Sequence, residues 1–275
     1  MLKKIGVLQF ESMPCDKKAN LEKLDNLLAR YDSQLDIVLL PELFDIGFSL
    51  ENISKKLVDL AEPIPGKTSE NLGLLAKKYQ AAIITNTIEK DEEIQGRFYD
   101  TSFIVDQNGE FLGKYRKLFV YPKERFYFSP GKDYPVFDIS GLKVGMSICY
   151  DHAFPELYRI LALKGAQLIT ISSAVPYNYE HLIRVRTRAR AQDNQLFVAA
   201  ANSVGKYNKN ESGFCGNSMV VGPRGNVIAR LDEEKDKMLY CTIDTDEILN
   251  ERLKEPSLRE ERLIDFYKDE LNKDI

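Results

Sequence analysis

Cys149 follows the apolar run Leu142-Lys143-Val144-Gly145-Met146-Ser147-Ile148 and is followed at once by Tyr150-Asp151-His152-Ala153-Phe154-Pro155-Glu156. A thiol at the carboxyl end of a core strand, at a turn into a helix, stands where open α/β folds place their chemistry. Backbone N–H groups of such a turn can hold an oxyanion. The same residue also reads as a buried structural cysteine, since free cysteine is among the most buried residue types. As a nucleophile it needs a base or a neighbouring cation, because the thiolate is the reactive form. The chain has two histidines. His152 is three residues past the thiol and His181 follows the next strand. Neither sits in a local motif, so a Cys–His hydrolase is one reading among several.

Carboxylates and lysines widen the choice. Glu42 stands just past the apolar run Asp36-Ile37-Val38-Leu39-Leu40. A carboxylate in such surroundings has its pKa raised by desolvation and becomes a competent general base; in a solvated loop it is an ordinary acid. Lys117 follows a short strand ending at Arg116 and precedes Leu118-Phe119. Near Cys149 its ammonium would favour the thiolate and a tetrahedral oxyanion; elsewhere it is surface charge.

The elements that would carry these residues alternate. Short runs rich in Val, Ile and Leu predict strands at Ile5–Phe10, Asp36–Leu40, Ala81–Thr87, Thr101–Val105, Val144–Cys149, Leu168–Ser172, Leu196–Ala201, Ser218–Val221, Val227–Arg230 and Met238–Ile243. Between them, helical faces are predicted through Leu21, Leu24, Leu27, Leu28 and Tyr31; through Leu72, Leu75, Ala76 and Tyr79; and through Leu157, Ile160, Leu161 and Lys164. Thr68 or Ser69 suits a helix cap, and Gly165 a helix stop. Asp106-Gln107-Asn108-Gly109 and Pro223-Arg224-Gly225-Asn226 read as hairpin turns. The mixture argues for one layered α/β domain with helices outside.

Bulk properties narrow the function classes. A net charge of −4 gives no electrostatic case for nucleic acid or an anionic membrane. No apolar run approaches the roughly 18–20 residues of a membrane span, and the amino terminus reads as a first strand rather than a signal peptide. The four cysteines, Cys15, Cys149, Cys215 and Cys241, form no C-x-x-C pair. Reduced thiols in a cytoplasm are therefore expected, and no zinc-ligand spacing is visible.

In order along the chain, Leu40-Pro41-Glu42-Leu43-Phe44, Tyr115-Arg116-Lys117-Leu118 and Gly145-Met146-Ser147-Ile148-Cys149-Tyr150-Asp151, completed by Phe154-Pro155-Glu156, resemble the motifs of the nitrilase, or carbon–nitrogen hydrolase, superfamily. The resemblance covers nearly the whole chain. It implies a four-layer α-β-β-α sandwich over residues 1–244, with a charged, helix-prone tail at 245–275 packing on the domain or on a partner subunit. It further implies a general base at Glu42, an oxyanion-stabilising lysine at Lys117, a nucleophile at Cys149 and an auxiliary, substrate-positioning acid at Glu124. The Tyr150 backbone N–H completes the oxyanion hole, and His152, Ser173 and Ala174 are candidate pocket residues. No metal or organic cofactor is implied. The implied state is a homodimer or higher homo-oligomer, and the partner a small amide or N-carbamoyl molecule rather than a nucleic acid or membrane. Arg186-Thr187-Arg188-Ala189-Arg190-Ala191-Gln192-Asp193-Asn194 resembles the family's arginine-rich helix, expected to serve structural ion pairs around the core and subunit contact. Tyr150-Asp151 differs from the Trp-Glu of true nitrilases, which favours amides or carbamoyl compounds over nitriles. Ala153 stands where many small-acid amidases of the family carry an arginine. Recognition of a substrate carboxylate then requires another arginine, because alanine offers no bidentate contact.

Overall fold

The computed structural model describes residues 1–31, 34–206, 212–232 and 235–258. Two six-stranded sheets lie face to face. One contains Leu2–Gln9 (β1), Ile37–Leu39 (β2), Ala82–Lys90 (β3), Phe98–Val105 (β4), Phe111–Arg116 (β5) and, returning from the end of the domain, Lys237–Asp244 (β14). Its order is β14-β1-β2-β3-β4-β5. The other contains Val136–Ile139 (β6), Leu142–Ile148 (β7), Leu168–Ser173 (β8), Phe197–Asn202 (β9), Met219–Val221 (β12) and Val227–Arg230 (β13), in the order β13-β12-β9-β8-β7-β6. A small pair, Val204–Gly205 (β10) and Phe214–Cys215 (β11), stands apart. The central strands β1, β2 and β3 are parallel, as are β7, β8 and β9, and the flanking pairs are antiparallel.

Side-chain alternation makes the layers. Ile5, Val7, Ile37, Leu39, Ala82, Ile84 and Ile104 face the other sheet and join one core with Val144, Met146, Ile148 and the strands beside them. The residues between them, Leu8, Val38, Leu40, Ile83, Phe103 and Val105, face outward into a second core. There they meet Leu24, Leu27 and Leu28 of Lys17–Leu28 (α1) and Leu72 and Ala76 of Lys67–Tyr79 (α3). A period of two sends alternate residues to opposite faces, so strands buried on both sides read as continuous apolar runs. Pro155–Leu163 (α4) and Glu180–Asn194 (α5) cover the second sheet through Leu157, Leu161, Ile183 and Ala191. The result is an α-β-β-α sandwich. No helix among the described residues is long and apolar enough to cross a membrane.

Both predicted hairpins form. Asp106 accepts from the N–H groups of Asn108 and Glu110 at 2.9 and 2.8 Å, and Gly109 takes φ +86° before β5. In the other, the Gly222 N–H donates to the Asn226 carbonyl and Gly225 takes φ +73°. Several boundaries differ from expectation. The helix expected to be capped by Thr68 or Ser69 begins earlier, with Gly66 as its N-cap. Ser69, at the third helical position, accepts from the Gly66 N–H at 2.9 Å and donates back to its carbonyl at 2.8 Å. Lys164 is exposed at the end of α4 rather than on its buried face. Leu50–Leu60 (α2), capped by Ser49 and burying Ile53 and Leu60, was not expected, nor was the half-buried edge strand β6. Asp246–Lys254 (α6) inserts Ile248 into the main core, and Leu258 packs against it; the rest of the expected tail, 259–275, lies outside the described residues.

α3 crosses the β4–β5 turn at a glycine-to-glycine contact. A Cβ on Gly73 would stand 2.7 Å from the Gly109 carbonyl oxygen, and backbone cannot swing aside. Alanine gains about 1 kcal/mol of helix propensity, but overpacking of this kind costs about 1–3 kcal/mol. Gly73→Ala is therefore expected to lower the unfolding free energy in urea despite its better propensity; a rise would show that the contact yields.

Candidate active site

The direction of the strands brings the candidate residues to one edge. β2 and β5 run the same way, so Glu42, beyond β2, and Lys117, directly after β5, emerge together. β7 and β8 of the facing sheet supply Cys149 and the Ser173–Ala174 corner. The chain after Glu42 turns through Leu43, whose φ is +48° and whose N–H donates to the Asn86 side-chain oxygen at 2.6 Å. The Asn86 amide donates in turn to Asp100 at 2.6 Å.

Lys117 is fully buried, and its Nζ makes three bonds: 2.7 Å to Glu42 Oε1, 2.7 Å to Glu124 Oε2 and 3.1 Å to Asp100 Oδ2. An ammonium has three donors, so all are committed. The other Glu42 oxygen accepts from the Ala174 N–H at 2.9 Å, which ties the two sheets together across the site. The three carboxylates offer oxygens within 4.8 Å of one another, a spacing suited to a cation, and the Lys117 ammonium is the cation they surround. Burial pushes the Glu42 carboxyl well above its ordinary value; Lys117 opposes this, and the charges of Asp100 and Glu124 add to it. Glu124 moves the same way for the same leading reason. Lys117 is raised well above the usual lysine value: desolvation works against its charge, but Glu124, Glu42 and Asp100 outweigh it.

Cys149 sits at the start of the one-turn segment Cys149–Ala153 with φ +40°. A side chain other than glycine is strained there and persists only when its surroundings impose it. Those surroundings include Asp151, which is fully buried. It accepts from the Ile148 N–H at 2.8 Å and the Tyr115 hydroxyl at 2.7 Å on one oxygen, and from the Phe119 N–H at 2.9 Å on the other. One carboxylate thus fastens the cysteine turn to both sides of Lys117, and burial raises its pKa to about 6. The thiol itself is pushed well above the ordinary cysteine value by burial first and the Glu42 charge second, while Lys117 and the Ala174 amide work the other way.

Cys149 opens into a cavity of about 600 Å³. Its wall includes Glu124, Tyr150, His152 and Ala174, all expected, together with Phe48, Tyr121 and Arg186, which were not. Ser173 does not belong to the wall. It is the last residue of a buried strand, and its hydroxyl donates inward to the Ala201 carbonyl at 2.9 Å and the Asn202 side chain at 3.1 Å. His152 is buried and held neutral, its pKa lowered to about 3 by desolvation and by Arg186, Arg190 and Lys117. His181 is exposed. Asp100 was missed because its strand was expected to begin at Thr101; the signal was an acid one residue before an apolar run, on a strand that starts at Phe98.

The chain matches the carbon–nitrogen hydrolase family model over residues 4–250. It is 35% identical over 268 residues to a probable nitrilase from Schizosaccharomyces pombe, covering 96% of this chain and 97% of that one. The crystal structure of a carbon–nitrogen hydrolase from Helicobacter pylori superposes with a TM-score of 0.91 at 29% identity, over 100% of both chains. An amidase from Nesterenkonia sp. AN1 superposes with a TM-score of 0.82 at 26% identity, over 97% of this chain and 96% of that one. It is a glutamate-to-glutamine mutant carrying the acetamide moiety of fluoroacetamide covalently on its active-site cysteine.

Deleting the buried ammonium exposes what it balances. Lys117→Met leaves three buried carboxylates without a counter-charge, a loss of about 3–5 kcal/mol. Glu42 and Glu124, already raised in the native fold, are raised further, so their unfavourable contribution grows as pH climbs through and above 4.5. Unfolding titrations are expected to show a larger deficit at pH 8 than at pH 5; a deficit independent of pH would contradict this charge balance.

Proposed function

Because the chain belongs to the carbon–nitrogen hydrolase family, we propose that it hydrolyses the C–N bond of a small linear amide through a thioester on Cys149. The observation that carries this reading is the coupling of Glu42 to Lys117 at 2.7 Å, beside a thiol held at positive φ on the cavity wall. The cysteine adduct in the Nesterenkonia amidase supports it.

Glu42 takes the thiol proton as the sulfur attacks the amide carbon. Burial drives both groups toward their neutral forms, so neither the carboxylate nor the thiolate is favoured in the resting site. Protonation removes the charge on Glu42 that holds one Lys117 donor. The ammonium is then released toward the developing oxyanion, where the Tyr150 N–H is the second donor. Glu42 returns the proton to the leaving ammonia or amine, and later draws one from the water that hydrolyses the thioester. Glu124 and Asp100 keep Lys117 charged and aimed throughout. Dividing amide hydrolysis into two acyl transfers lowers the barrier of each step. A histidine base fits less well: His152 is neutral down to about pH 3, and its Nε2 is 3.1 Å from an arginine donor.

Ammonia release across amides, N-carbamoyl compounds and nitriles tests the reading. Cys149→Ala is expected to abolish turnover with the fold retained, and Glu42→Gln to lower kcat/KM by about 10²–10⁴. In the wild type kcat/KM rises with pH through an apparent pKa above the ordinary 4.5 of a glutamate, because the base must be ionised and its pKa is raised. Full activity in Glu42→Gln would remove the carboxylate from the mechanism and return it to a histidine.

A further inference from the structure

α5 contains four arginines, and three of them have evident structural tasks. Arg184 pairs with Glu180 at 3.1 Å, Arg188 donates to the Gly225 carbonyl at 2.9 Å, and Arg190 donates to the carbonyls of His152 and Ala153 and reaches Asp193. Arg186 differs. It is half-buried, lines the same cavity as Cys149, and has no carboxylate partner among the described residues. Its Nη1 is 3.1 Å from His152 Nε2. Since arginine can only donate, Nε2 accepts and the imidazole proton is on Nδ1. That nitrogen is buried with no hydrogen-bond partner among the described residues, on a side chain only 3% exposed. The arrangement therefore holds a guanidinium in the wall by one of its five N–H groups and leaves the others for a planar anion, while the acid in the same wall, Glu124, is bonded to Lys117 at 2.7 Å.

We propose that Arg186, held by His152, is a specificity-determining residue that receives a carboxylate on the substrate end remote from the scissile amide. The preferred substrates are then acidic amides, monoamides of short dicarboxylic acids, rather than neutral ones. The inference rests on the reading of the Cys149 cavity as the amide site. It also answers the question left by Ala153: the arginine absent from the turn after the nucleophile is supplied by α5, across the same cavity.

The wild-type chain is assayed for ammonia release from succinamic acid and from butyramide, which have the same four-carbon skeleton and differ in a terminal carboxylate against a methyl. Wild type is expected to favour succinamic acid by about tenfold or more in kcat/KM, the range of a charge-assisted bond. Arg186→Met is expected to bring that ratio close to one. The ratio is taken within one preparation, so a loss of folded protein alone leaves it unmoved. Lys123→Met, at the other basic residue of the wall, is expected to keep the ratio. A variant-free measurement stands beside these: succinate should inhibit butyramide hydrolysis at about tenfold lower concentration than butyrate. Equal kcat/KM for the two amides, a ratio that survives Arg186→Met, or a collapse with Lys123→Met in its place would overturn the assignment. Failure of the underlying reading has another signature: neither amide releases ammonia, and the anion assignment falls with it.

Discussion

A single buried ammonium organises this site. Lys117 has no solvent, and its charge survives because three carboxylates from three parts of the chain converge on it. The dependence is mutual. Three acids confined within a few ångströms would repel one another and take up protons, and the lysine allows them to remain partly ionised. Such a cluster is a poor device for stability, since burying charge offsets most of the attraction gained. What it provides is a fixed geometry: all three donors of the ammonium are held by named acceptors, so the cluster has one arrangement.

The two sheets are joined through the same cluster. Glu42 comes from one sheet and accepts from the Ala174 amide of the other; Ser172 of the second sheet donates to the Leu40 carbonyl of the first at 2.8 Å. Asp151 makes the complementary connection, from the cysteine turn back to Tyr115 and Phe119 on either side of the lysine. The positions of Glu42, Lys117 and Cys149 are thus referenced to both layers of the core. The strained φ of Cys149 is held in the same way, by hydrogen bonds on the residues before and after it.

The cavity beyond this rigid base is made of different material. Phe48, Tyr121, Tyr150 and Phe214 form an aromatic wall, with Tyr121 and Tyr150 in edge contact at 5.2 Å and Phe48 and Phe214 at 6.3 Å. The two parts differ in origin. The charged cluster lies at strand ends, whereas the cavity wall draws on loops and on one face of α5, which can vary without disturbing the core.

Much of this was legible in the sequence. Apolar runs bounded by turn residues located most of the strands, because burial on both faces demands continuous apolar character. The acid, lysine and thiol each stand directly past such a run, and strand ends are where a layered sheet opens to ligand. Asp100, Arg186 and the exclusion of Ser173 were not legible. Asp100 lies inside an antiparallel strand, and only pairing with β5 sets it beside Lys117. Arg186 is one of four arginines spaced two apart, and the angle at which α5 packs decides which of them faces the cavity. Ser173 ends a strand like its neighbours, but its hydroxyl finds partners within the sheet. The sequence by itself determined the layers and the chemistry at their edges, because local periodicity and residue type dictate burial and reactivity. Only the tertiary structure decided which charges meet and which side chains line the cavity, because both depend on strand register and helix packing between residues far apart in the chain.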